Sequence, residues 1–338
     1  MHLRLLWPIT IIAVLIATAY TLGSAPGTGR SLSLSLVFGA ALGVILQRSR
    51  FCFLCHARDF IDRRDPRGLL AILLALALGT IGYHLFMSGW LTTPNPPRLP
   101  PDVHIGPVSW ALALAGMVFG LGMAISGSCI SAHIYRLGEG SPASPLALIG
   151  AGLGFLAGFH TWNPLFSLTI AEAPLLWLPH YVGYSGSLTL QLAALAALAA
   201  VLWRYYPAAI AAEPPQRPLP AGLTALVGRC FDGRWPYWLG GALVGVISFL
   251  VLVRLKPLGV TSALGSGARG LGNEFGLTPL RLDGLDGFAG CSTAPGDGWF
   301  TPNAALVIGL ALGGLAAGLA AGQFTPRPPS LRDIARGL

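Results

Sequence analysis

Apolar runs long enough to cross a bilayer follow one another along nearly the whole chain, and this succession constrains the fold more than any motif. A helix needs about 17 to 25 apolar residues to traverse the hydrocarbon layer, where backbone must satisfy its own hydrogen bonds. The runs lie at about residues 5–22, 31–47, 68–90, 107–126, 144–160, 186–203, 237–255 and 303–322. They predict an all-α, polytopic helical membrane protein with about eight crossings, residues 1–338 forming a single integral membrane domain. Composition agrees, because 54% hydrophobic and 10% charged residues leave too little polar surface for a water-soluble domain of 338 residues.

The formal charge of +8 raises the question of nucleic acid. The basic residues are almost all arginine and are scattered between apolar runs without aromatic interleaving, so they read as topology-setting loop charge and not as a nucleic-acid surface. With the N-terminus in the cytoplasm, Arg4, the 48–67 loop, Arg136, the 204–234 loop and the tail arginines lie inside, against Arg30 and Arg98 outside. That asymmetry predicts both termini in the cytoplasm. The first run exceeds the usual signal-peptide core and no clean A-x-A site follows it, so it reads as a retained span.

Four stretches, 48–66, 127–142, 163–182 and 256–301, are too rich in glycine and proline for simple helices and too apolar for aqueous loops. Short or re-entrant helices are the expected solution, with their backbone buried in protein or lining a cavity. Weak repetition accompanies them. Gly43 precedes Cys52 by the same distance as Gly120 precedes Cys129, and GVISFLVLVRLKPLGVTS from Gly245 echoes GVILQRSRFCFLC from Gly43. The repetition predicts pseudo-symmetric halves, 31–160 and 237–322, packed around a central site.

Three cysteines stand in these breaks: Cys52 in RSRFCFLC, Cys129 in ISGSCIS and Cys291 in GFAGCSTAP. A single cysteine in an apolar helix is as readily a small packing residue, and Cys230, isolated in a loop, stays in that class. Three at similar interruptions point to a transport relay. Gly39, Gly43, Gly116, Gly120, Gly150, Gly152 and Gly154 read as close-packing positions between helices. Gly127, Gly287 and Gly290 adjoin the cysteines, where a missing side chain lets backbone N–H groups approach an anion. Most arginines read as interfacial anchors, and Glu172 as an acid of undetermined depth.

Cys52, Cys55 and His56 spell C-x-x-C-H, the attachment signature of c-type haem, so a membrane redox or haem protein is the second reading. Its cytoplasmic position and the lack of a defined second axial ligand count against it. No second C-x-x-C or H-x-x-x-H run completes a zinc set, and the βαβ context of a thioredoxin-type pair is missing, so neither metal nor cofactor is expected.

RSRFCF, the GSC break followed by RLGEGS, KPLGVTS and AGCST together resemble the YeeE/YedE sulfur-transport family, which includes bacterial thiosulfate transporters. The likeness runs from about residue 31 to 322 with the motifs in order. It implies a protein of the bacterial cytoplasmic (inner) membrane, with pseudo-symmetric halves, short inward-dipping helices, and Cys52, Cys129 and Cys291 along a narrow pathway. It also implies a soluble sulfur carrier or sulfurtransferase as cytoplasmic partner. Cys55 is an additional thiol, and GFAGCSTAP departs from the more usual glycine-glycine-cysteine form.

The chemistry suits a sulfur anion such as thiosulfate. A thiol with a reference pKa of about 8.5 is mostly S–H near neutral pH, a weak donor that does not repel an anion. The expected substrate-binding set is Cys52, Cys129, Cys291, Gly127 and Gly290, with Cys55, Ser128, Ser292 and Thr293 as secondary candidates. Passage needs no covalent step, no Walker-type run is present, and the chain reads as a transporter and not an enzyme.

Overall fold

The computed structural model describes residues 2–95, 107–207, 233–255, 257–279, 281–285 and 300–337. The helices are α1 (His2–Gly23), α2 (Gly29–Ser49), α3 (Phe53–Arg63), α4 (Arg67–Trp90), α5 (Trp110–Ser126) and α6 (Ile130–Leu137). They continue with α7 (Ala143–Thr169), α8 (Leu178–Trp203), α9 (Tyr237–Arg254), α10 (Val260–Glu274), α11 (Pro302–Ala320) and α12 (Leu331–Gly337). No strand occurs among the described residues. Among the described residues, eight helical stretches are long and apolar enough to cross a membrane, and they coincide with the runs expected from the sequence. The protein is an all-α, multi-pass membrane protein.

The centre is the pair α2 and α11, the most extensive helix contact, with α1 against both and α9 packed on α4. Two G-x-x-x-G stripes make it possible. Gly39 and Gly43 lie against the backbone of Leu306 and Leu310, and Gly309 and Gly313 lie against the backbone of Leu36 and Ala40. In lipid the helices gain no hydrophobic drive toward each other, so close backbone approach at small residues supplies the contact. Gly116, Gly120, Gly152 and Gly154 do not behave this way. A side chain at any of them would meet nothing within 4 Å, because Leu112, Met117, Val118 and Leu121 around them on α5 and Leu153 on α7 face outward.

Three of the four irregular stretches contain short helices: α3 in 48–66, α6 in 127–142 and α10 in 256–301. Residues 163–182 differ, since α7 runs through Pro164 to Thr169 and α8 starts at Leu178. The break within this stretch is the connection at 170–177, and α8 is kinked just beyond the stretch at Gly183, whose φ of 69° and ψ of 173° suit a residue without Cβ. Glu172 is exposed in the turn between these two helices.

The turn joining α3 to α4 is clamped by a two-pronged ion pair. Arg67 donates from Nε to Asp65 Oδ1 at 3.0 Å and from Nη2 to Oδ2 at 2.8 Å, and its guanidinium covers the Tyr237 ring at 5.6 Å. Burial pushes the Asp65 carboxyl up, but the Arg67 hydrogen bonds outweigh it and hold the group below the usual carboxylate range. A depressed carboxyl contributes stability that is present above the unfolded pKa, about 3.9, and lost as pH falls through the folded value. Asp65→Asn is therefore expected to lower the thermal midpoint near neutral pH and to flatten its decline on acidification. Unfolding curves of detergent-solubilised protein between about pH 3 and 7 check this. An unchanged acid limb would remove the clamp from the account.

Candidate functional site

The site begins with two helix breaks of the same design. The helix α2 ends on Arg50 in the left-handed conformation (φ 49°, ψ 41°), and α5 ends likewise on Gly127 (φ 84°, ψ 5°). Two residues later each chain is extended at a cysteine, Cys52 (φ −143°, ψ 121°) and Cys129 (φ −76°, ψ 162°), which starts the next short helix as its N-cap. The first helical bonds match too, with His56 N–H donating to the Cys52 carbonyl and His133 N–H to that of Cys129, each at 3.0 Å.

Neither cysteine closes a side-chain capping bond on its own helix. Their sulfhydryls turn toward each other. The Cys52 thiol lies within sulfhydryl hydrogen-bonding reach of both Cys129 and Cys55. Each sulfur lies close to one backbone N–H of its own helix and one across the gap: those of Cys55 and Cys129 for Cys52, and those of Ala132 and Phe53 for Cys129. Two helix N-termini, each carrying partial positive charge, thus converge on one thiol cluster. Cys52 is 1% exposed, whereas Cys55 and Cys129 are half-buried, and all three are free thiols. Leu46, Ile134, Tyr135 and Leu310 supply the apolar wall around them.

A polar girdle borders this wall. Arg136 Nη1 donates to Ser128 Oγ, and its Nε stands 3.9 Å from Glu139 Oε2. Gln47 Nε2 donates to Glu139 Oε1 at 3.2 Å and to Gln323 Oε1 at 2.7 Å, tying α2 to the ends of α6 and α11. The cluster can therefore offer an anion S–H donors and backbone N–H groups, with the Arg136 guanidinium nearby. Such weak donors hold an anion without trapping it.

Of the residues expected from the sequence, Cys52, Cys129 and Cys55 come together. Ser128 adjoins them, its hydroxyl already accepting from Arg136. Gly127 acts through conformation: its positive φ lets α5 stop, and its own N–H is taken by the Met123 carbonyl at 2.8 Å. Cys291, Gly290, Ser292 and Thr293, with Gly287 and Cys230, lie outside the described residues. The C-x-x-C-H run does not present a haem-binding face, because Cys52 is packed into the core and the 3% exposed His56 ring is wedged between Phe51, Tyr237 and Gly68.

Several participants were not anticipated. Arg48 is not an interfacial anchor: it is 2% exposed, and its Nη2 donates to the Gly233 carbonyl while its own carbonyl accepts from Trp235 N–H at 3.0 Å. Arg269 on α10 is equally buried. His56 was read only as part of the C-x-x-C-H run and His133 not at all, although Cys-x-x-x-His at 52–56 and again at 129–133 signals that both short helices bury a histidine.

Membrane helices broken at matching points, with thiols meeting in the gap, define a multi-pass membrane protein with a buried sulfhydryl site. The chain belongs to the sulphur transport family, whose family model matches residues 48–338. It is 26% identical over 251 residues to the thiosulfate transporter TsuA of Escherichia coli, covering 67% of this chain and 63% of that protein. The thiosulfate transporter TsuA of Spirochaeta thermophila is 34% identical over 130 residues, 38% of this chain and 37% of its own. The probable transporter YedE of Escherichia coli is 26% identical over 109 residues, 32% of this chain and 25% of its own. The chain thus spans less than two thirds of the length of each of these relatives.

Proposed function

We propose that the protein transports thiosulfate or a closely related sulfur anion across the membrane into the cytoplasm, handing it between neutral thiols without covalent chemistry. The observation that carries this reading is the meeting of Cys52 and Cys129 from two separate helix breaks, each sulfur facing an N–H from the opposite helix start. Conduction requires each stop to bind well enough to admit the ion and weakly enough to release it. Thiols and backbone N–H groups meet that requirement better than buried arginines would. The two relatives named for thiosulfate support the choice of anion.

In this reading Cys291 is a further station, reached from outside before Cys129 and Cys52, and Cys55 extends the inner end. The recurrence of a long helix, a break and a short helix at α2–α3, α5–α6 and α9–α10 supports two related halves around the route. Arginine asymmetry supports cytoplasmic termini in a bacterial inner membrane, where a soluble sulfur carrier or sulfurtransferase takes the product of transport. The protein is a carrier and not an enzyme.

Uptake of radiolabelled thiosulfate into proteoliposomes, alongside sulfite, sulfate and selenium oxyanions, tests the proposal. Saturable thiosulfate uptake, with sulfate excluded for want of a terminal sulfur, is the expected result. Vesicles that move no sulfur compound would overturn it.

A further inference from the structure

The thiol cluster has two unexplained neighbours. His56 follows Cys52, and His133 follows Cys129, by one helical turn in the two short helices, so each break carries the same cysteine-to-imidazole spacing. Both side chains are 3% exposed, and in both the Nε2 atom is buried without a hydrogen-bond partner. A buried polar atom left unpaired costs about 1 to 3 kcal/mol, so its retention at two matching positions asks for a use. Both imidazoles also lie within electrostatic reach of Cys52.

Their settings are held firmly. The His133 Nδ1 faces Ser144 Oγ of α7 at 3.4 Å, which fixes the ring. The His56 ring meets Phe51 and Tyr237 edge-on at 5.8 and 5.3 Å, with Gly68 of α4 against its other side. Around His56 the titratable and charged groups are Cys52 and Asp59 of its own stretch, Asp65 of the following turn, and Tyr237 of α9 beneath the Arg67 guanidinium. Around His133 they are Arg136 of its own helix and Cys52 across the gap.

We propose that His56 and His133 are the proton-holding groups of the thiol site, and that the anion crosses together with the protons they take up. This rests on the transport reading above and supplies its driving force. An anion arriving at Cys52 and Cys129 stabilises a protonated imidazole beside it. Each Nε2 takes a proton from water on the side of arrival, holds it while the anion occupies the cluster, and gives it to water on the far side as the anion leaves. The only bonds exchanged are an O–H of the donor water and the N–H of the imidazole, broken and formed on arrival and reversed on departure. Two imidazoles and a dianion make the crossing electrically neutral, which removes most of the expense of carrying charge through a low-dielectric interior.

Proteoliposomes of the full chain, holding an entrapped pH dye and given radiolabelled thiosulfate, read both species at once. The expected ratio is about two protons per thiosulfate, and an inward gradient of about one pH unit should concentrate the anion roughly 100-fold, tenfold per coupled proton. His56→Gln and His133→Gln keep a polar side chain without a titrating nitrogen. Each should lower the ratio to about one proton per anion, whatever rate remains, and the double variant should lose coupling. Thiosulfate movement by the unaltered protein without protons would overturn the inference while leaving the transport reading intact. The ratio staying at about two in both single variants would overturn it as well. No thiosulfate movement by the unaltered protein would instead overturn the transport reading, and this inference with it.

Discussion

Cys129→Ala is expected to remain folded and to lose thiosulfate uptake, and Cys52→Ala to do the same. The two consequences separate by magnitude. Removing one sulfur from a packed site costs on the order of 1 kcal/mol of stability. Removing a donor to an anion costs about 1.5 to 3 kcal/mol at each bound state, which corresponds to roughly a ten- to hundredfold loss of rate. Cys52 also contacts both other thiols, so its loss removes the shared partner of the cluster. Serine at either position restores a donor in a smaller group and should recover part of the uptake. Proteoliposome uptake, set beside size-exclusion profiles and thermal midpoints, makes the comparison. Unimpaired uptake by both alanine variants would falsify the relay.

Gly43→Leu should fail for a different reason. A Cβ at this position would collide with the Leu310 carbonyl and stand 2.8 Å from the Gly314 amide, both of them backbone and unable to rotate aside. The helices α2 and α11 must then separate along the stripe that joins them, at about 3 kcal/mol, the upper end of the usual overpacking range. The damage reaches the site because α2 leads through Arg50 directly to Cys52. Uptake and thermal stability should therefore fall together, unlike in the cysteine variants. Gly120→Leu provides the contrast, since a side chain there meets open space and stability should stay within about 0.5 kcal/mol of the parent. Equal thermal midpoints for the two leucine variants would show that the G-x-x-x-G contact does not hold the pair together.

The spans were legible because a membrane helix must be apolar along its full length, a property of consecutive residues that needs no partner. The breaks at Cys52 and Cys129 were legible for a related reason: the arginines at 48 and 50 and the S-G-S at 126–128 interrupt an otherwise continuous run. Which glycines pack was not. Gly43 and Gly120 stand at the same distance before their cysteines, yet one is pressed against α11 and the other faces outward. The difference depends on which helix lies alongside, and spacing within one helix carries no information about that. Arg48 was missed on the same ground, since its carbonyl partner Gly233 lies far along the chain.

Hydropathy and helix-breaking residues alone determined that this is a multi-pass helical membrane protein with cysteines at interruptions of its helices. Only the tertiary structure decided that Cys52 and Cys129 meet, that Cys55 joins them, and that α3 and α6 each bury a histidine beside the cluster. Local sequence specifies where a helix must stop and what begins the next one. The approach of two such starts depends on the close contact of α2 with α11 and the docking of α6 beside them, interactions between residues far apart in the chain.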